Sequence, residues 1–165
     1  CKVDGPAPNA QNRREFDGFA VVQVDVKDSE SVQYAVSGVI IKEGRLDVLI
    51  NNAGGGITGS IEETPHEEIL NVFDTNFHGT VHMMKAVLPQ MRKQGGGTII
   101  HITSIAGYMC LPYRGFHSST NGALRLITDA LRSDVKHFRV TVTTLSPHHY
   151  ASTFSPHTLY LRGLS

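Results

Sequence analysis

Apolar and polar positions along this chain fall into two alternating periods. Phe19–Asp25 (FAVVQVD) is short and β-branched, which predicts a strand. Asp28 or Ser29 then offers a helix cap ahead of Val32, Ala35, Val36, Val39 and Ile40, spaced three and four apart. Leu46–Asn51 (LDVLIN) is a continuous apolar run ending in polar residues, the pattern of a strand buried on both faces. A glycine-rich turn, Gly54–Gly59, follows. Thr64-Pro65-His66-Glu67 reads as a helix start, with a threonine cap and proline at the first helical position. The helical period runs to about Lys93, where Gly95–Gly97 stops it, and Pro89 should end or kink it nearby. Thr98–Thr103 is the next strand, Gly115–Lys136 the next helix, and Arg139–Leu145 the last clear strand. From Ser146 onward no period is visible. Strands alternating with helices predict an α/β fold: a parallel sheet covered on both faces, with any site along the carboxyl ends of the strands.

Composition narrows the class. The 165 residues amount to one domain, and 40% hydrophobic with 18% charged residues excludes a disordered chain. Fifteen basic residues balance fifteen acidic ones, so no global field favours nucleic acid or an anionic membrane, and neither is expected as a partner. No apolar run approaches the ~20 residues that span a bilayer. Two cysteines, Cys1 and Cys110, make no disulfide framework and fit free thiols in the cytoplasm. The chain opens on Cys1 rather than methionine, which reads as a fragment of a longer frame.

Several residues could carry chemistry. Asn51-Asn52-Ala53-Gly54 ends a strand, where small residues let backbone approach a flat ligand. Asn76 sits inside the long helix, although asparagine is a poor helix former. Ser104, just past a strand, could donate a hydrogen bond to a substrate carbonyl. Thirteen positions on, at the start of a helix, come His117 and, one turn later, Asn121. His78 and His82, four apart, have a chelating spacing. No glutamate stands between them in the metalloprotease pattern and no third ligand is placed, so no metal is expected.

Taken together, Asn51–Gly54, Ile99–Gly107 (IIHITSIAG) and Phe116–Leu124 (FHSSTNGAL) resemble the short-chain dehydrogenase/reductase family, over roughly Val21–Pro147. The resemblance implies a Rossmann-like three-layer α/β/α fold with a parallel sheet, here lacking the first strand–turn–helix. It divides the chain into an irregular segment 1–18, a partial domain 19–147 and an irregular tail 148–165. It implies hydride transfer between NAD or NADP and a small-molecule alcohol or ketone. Within it Asn76 would lie at a helix kink on a proton relay, and Ser104 beside the substrate carbonyl. Asn52, Ala53, Gly54 and Pro147 would line the cofactor, with Asp25 facing its adenine. The long helices commonly form the family's subunit interface, so a homo-oligomer is expected.

The departures are chemical. The family's catalytic tyrosine and lysine positions hold His117 and Asn121. A lysine beside the tyrosine lowers the phenol pKa and grips the nicotinamide ribose; asparagine supplies no cation. His148 replaces the glycine usual after Pro147, and no Thr-Gly-x-x-x-Gly-x-Gly phosphate turn occurs in the chain. These departures predict an impaired or inactive oxidoreductase that binds its cofactor weakly. The alternatives are a non-catalytic binding or partner subunit (a pseudoenzyme) and a non-functional gene fragment. For the fold, Leu46–Asn51, Thr98–Thr103 and Arg139–Leu145 should be consecutive parallel neighbours. Phe19–Asp25 should either pair with Leu46–Asn51 or detach and leave an apolar edge that self-associates.

Overall fold

Three apolar runs form one parallel sheet in the computed structural model, which describes residues 14–16, 19–147 and 158–160. In chain order the elements are β1 (Arg14–Phe16), β2 (Phe19–Val21), α1 (Ser29–Glu43), β3 (Val48–Asn51), β4 (Gly56–Thr58) and α2 (His66–Phe73). They continue with α3 (Gly79–Lys93), β5 (Gly97–Ile102), α4 (Gly115–Val135), β6 (Val140–Leu145) and β7 (Thr158–Tyr160). The sheet order is β3-β5-β6, all parallel, with Asn51 opposite His101 and Ile99 opposite Val142. The three strands are consecutive neighbours, as the alternation of periods requires.

The helix ends follow local chemistry. Asp28 caps α1 by accepting from the Glu30 amide at 2.9 Å, and Gly44, at φ 73°, closes it. Thr64 does not cap α2: its hydroxyl donates instead to the Ser60 carbonyl, and Pro65 stands at the cap position without a side-chain bond. Between α2 and α3, Asp74–His78 forms a π-turn, so the single long helix read from the sequence is two helices joined by a bulge. Pro89 lies within α3, which ends one turn later at Lys93.

Burial alternates along the strands and shows which face is covered. Leu49, Ile99, Val140 and Val142 are buried together with Val32 and Val36 of α1, Met84, Val87 and Met91 of α3, and Leu131 and Val135 of α4. Val32, Val87, Met91, Ile99 and Val135 have no exposed surface. Burying such a side chain contributes about 1.5–3 kcal/mol, which fastens these helices to one face of the sheet. On the other face Val48, Ile50 and Leu145 are 52%, 57% and 57% exposed. A second helical layer is not found among the described residues. The apolar runs were read as buried on both faces because strands of that composition normally are.

Two segments expected to be irregular contain short strands. β1 pairs antiparallel with β2, Phe16 opposite Phe19, and β7 pairs parallel with β4. Phe19–Asp25 therefore does not join β3: only Phe19–Val21 is strand, and it turns back on its own neighbour.

Candidate active site

The π-turn places Asn76. One extra residue in the helix redirects the side chains around it, and the loosened carbonyls find hydroxyl donors. Thr75 Oγ1 donates to the Asn71 carbonyl at 3.0 Å, and Thr80 Oγ1 to the Asn76 carbonyl at 2.8 Å. The buried Asn76 amide then reaches the loop after β3. Its Oδ1 accepts from the Gly55 amide at 2.8 Å, and its Nδ2 donates to the Gly55 carbonyl at 3.0 Å. The same Nδ2 donates to Thr120 Oγ1 of α4 at 3.1 Å. Gly79, next along, packs against Val26, where a Cβ would meet Val26 Cγ2 at 2.8 Å.

On α4, His117 and Asn121 are both buried. Asn121 Nδ2 donates to the His117 carbonyl at 2.9 Å and lies 3.4 Å from His117 Nε2. Burial lowers the His117 pKa below its ordinary 6.5; a hydrogen bond with the Gly55 backbone opposes this, and the nearby Arg114 charge reinforces it. The imidazole is therefore neutral at pH 7 and holds no acidic proton to give.

Ser104 ends β5. Its Oγ accepts from the Ala106 amide at 3.2 Å and caps the turn Ile105–Gly107. Accepting through a lone pair leaves the hydroxyl proton available to donate. Gly107 brings that turn against α4, since a Cβ on it would lie 3.0 Å from the Asn121 backbone. Thr103 Oγ1 bonds Ser146 Oγ at 2.7 Å, which joins the ends of β5 and β6 next to half-buried Pro147.

Asn76, Ser104, His117, Asn121 and Gly54 thus gather at the carboxyl ends of β3 and β5, with Pro147 at the end of β6. Asn52, Ala53 and Gly54 are exposed there. A Cβ on Gly54 would meet Asn76 Oδ1 at 3.4 Å, an ordinary contact, so the protein itself does not demand that glycine. Asp25 stands apart, exposed in the turn before α1, its carboxylate accepting from the Lys27 amide at 3.0 Å. His82 Nδ1 lies 2.9 Å from the Val26 carbonyl, and the His78 ring meets Phe77 edge-on. Cys110 is an exposed free thiol. Cys1, His148, His149 and His157 lie outside the described residues.

Three participants were not singled out from the sequence. Gly55 adjoins the Asn-Asn-Ala-Gly motif, and its main chain rather than a side chain takes part. Thr120 lies one position before Asn121, a spacing that gives no chemical signal by itself. His101 is fully buried in the middle strand, with Asn51 Nδ2 3.1 Å from its Nδ1. Its Nε2 has no hydrogen-bond partner among the described residues, and burial lowers its pKa from 6.5 to about 4. A polar residue inside the apolar run Thr98–Thr103, facing Asn51 in register, was the available clue.

A nicotinamide dinucleotide is only half accommodated by these residues. The exposed Asn52-Ala53-Gly54 shelf leaves room for a flat ring. Asn121, at the position where the resemblance expects a lysine, turns its amide back onto its own helix. The described residues do not make a tight holder for it.

The sequence profile described as short chain dehydrogenase matches residues 6–158. A 3-ketodihydrosphingosine reductase of Bacteroides thetaiotaomicron is 46% identical over 132 residues, covering 80% of this chain and 49% of the relative. Among solved structures, a short-chain dehydrogenase from Streptomyces avermitilis superposes with a TM-score of 0.82 at 29% identity, covering 87% of this chain and 53% of that one. ElxO with NADP bound superposes at 0.75 with 33% identity, covering 76% and 51%. The chain spans about half the length of these proteins. The match across residues 6–158 shows that this chain belongs to the short chain dehydrogenase family.

Proposed function

We propose that this chain carries the proton-handling half of an NAD(P)-dependent alcohol/ketone oxidoreductase in which that chemistry is disabled. The observation behind the reading is the α4 pair: a neutral, buried His117 and an Asn121 amide committed to the His117 carbonyl. When bound, a nicotinamide would supply or take the hydride. Ser104 retains a hydroxyl proton to offer a carbonyl oxygen, and Asn76 holds the loop at Gly55. No side chain on α4 then supplies the acid that an alkoxide needs, a loss that typically costs about 10²–10⁴-fold. The relative's name makes a long-chain ketone the first substrate to try. Self-association and a cytoplasmic setting belong to the same reading. The exposed Cys110 thiol agrees with the second, and no helix among the described residues is long and apolar enough to cross a membrane.

A non-catalytic partner subunit is the second reading, favoured because the Asn121 amide is engaged by the His117 carbonyl rather than left as a broken remnant. Titration with NADH and NADPH by fluorescence tests the first half of the proposal. No saturation is expected across the micromolar range, and tight low-micromolar binding refutes it. His117→Tyr with Asn121→Lys, in this chain extended by the upstream half of a family relative, should raise ketone reduction well above the same extended chain unmutated. Equal activity would mean that the pair is not what disables it.

A further inference from the structure

Thr120 has no exposed surface, and its single hydroxyl is used in both directions. The proton goes to the His117 carbonyl at 2.8 Å, which leaves a lone pair to accept from Asn76 Nδ2 at 3.1 Å. The Asn76 amide is likewise fully used: one oxygen on the Gly55 N–H, and its nitrogen on the Gly55 carbonyl and on Thr120. That set fixes the amide's orientation, because a flipped amide would face the Gly55 N–H with its own donors. From these bonds we infer that Thr120 is a positioning residue, coupling the loop at Gly54–Gly56 to the His117 turn of α4 through the Asn76 amide.

The consequence is that α4 helps to place the loop, through one bond onto the Asn76 amide, beside the β4–β7 pairing that begins at Gly56. Asn121 reinforces the anchor, since its amide also donates to the His117 carbonyl. Every member of the chain of bonds is neutral, with Asn76, Thr120, His117 and Asn121 buried and Gly55 half-buried, so salt should not weaken it. This coupling concerns the scaffold of the site and holds whether or not the chain turns over a substrate.

Thr120→Val keeps the shape and removes the hydroxyl, whereas Thr120→Ser keeps the hydroxyl. Amide hydrogen exchange by NMR, read at Gly55 against Ile99 in the core, compares them. Gly55 should exchange about tenfold faster in Thr120→Val, the equivalent of one buried hydrogen bond, with Ile99 unchanged and Thr120→Ser at the wild-type rate. The His117 imidazole titration should move in the valine variant and not in the serine one. Gly55 unchanged in Thr120→Val overturns the inference; so does equal acceleration of Gly55 and Ile99, the mark of a general loss of stability. Should the valine variant not fold, the unmodified chain decides. Its Asn76 Nδ2 protons must exchange more slowly than those of exposed Asn52, and equal rates refute the coupling.

Discussion

Lowering the pH from 7.5 to 5 should destabilise this fold through His101, a group that no catalytic proposal uses. The imidazole is fully buried in the middle strand, held to Asn51 through Nδ1, with Nε2 unpartnered among the described residues. Burial alone takes its pKa from 6.5 to about 4, so the folded state keeps it neutral where the unfolded chain binds a proton. The direction follows: the stability is fully present above pH 6.5 and is lost as the pH falls towards 4. The whole interval corresponds to about 3 kcal/mol, of which about 2 kcal/mol is gone by pH 5. Against a typical domain stability of about 5–15 kcal/mol this is a large share. Urea denaturation followed by circular dichroism at the two pH values measures it. His101→Leu fills a similar volume and cannot titrate, so the variant should lose about 2 kcal/mol less than the wild type between pH 7.5 and 5. His117, also depressed by burial, adds to the fall in both proteins and cancels in the comparison. Identical pH dependence in wild type and variant would refute the reasoning.

Gly107→Ala should cost about 1–3 kcal/mol, because the new Cβ meets the Asn121 backbone, which cannot swing away as a flexible side chain would; an unchanged urea midpoint would show that the Ile105–Gly107 turn adapts freely. The open sheet face at Val48 and Ile50 should make the chain self-associate. Ile50→Lys should lower the mass seen by sedimentation, and a monomeric wild type would count against that face as the contact.

Much of the fold was legible because strand and helix periods are local properties. The runs at Leu46–Asn51, Thr98–Thr103 and Arg139–Leu145 all became parallel strands within two residues of their expected bounds. Asn76 stood out as a misfit in a helical pattern, and it does sit in an interruption of the helix. The antiparallel pairing of β1 with β2 is not legible in the apolar run, because a run of this kind does not name its partner strand.

By itself the sequence determined the order of the three parallel strands and the helices between them, the family, and the presence of histidine and asparagine at positions 117 and 121. Those are facts of residue type and spacing, which no packing can alter. Only the tertiary structure decided which face of the sheet is covered, since an apolar run reads the same whether one face or both are buried. It also decided that Asn76 spends its amide on Gly55 and Thr120, residues 21 and 44 positions away. The same holds for His101, whose neutrality comes from burial by elements distant in the chain. Hydrogen-bond partners and desolvation depend on what folding brings within reach, and that is set by three-dimensional proximity, which spacing along the chain does not encode.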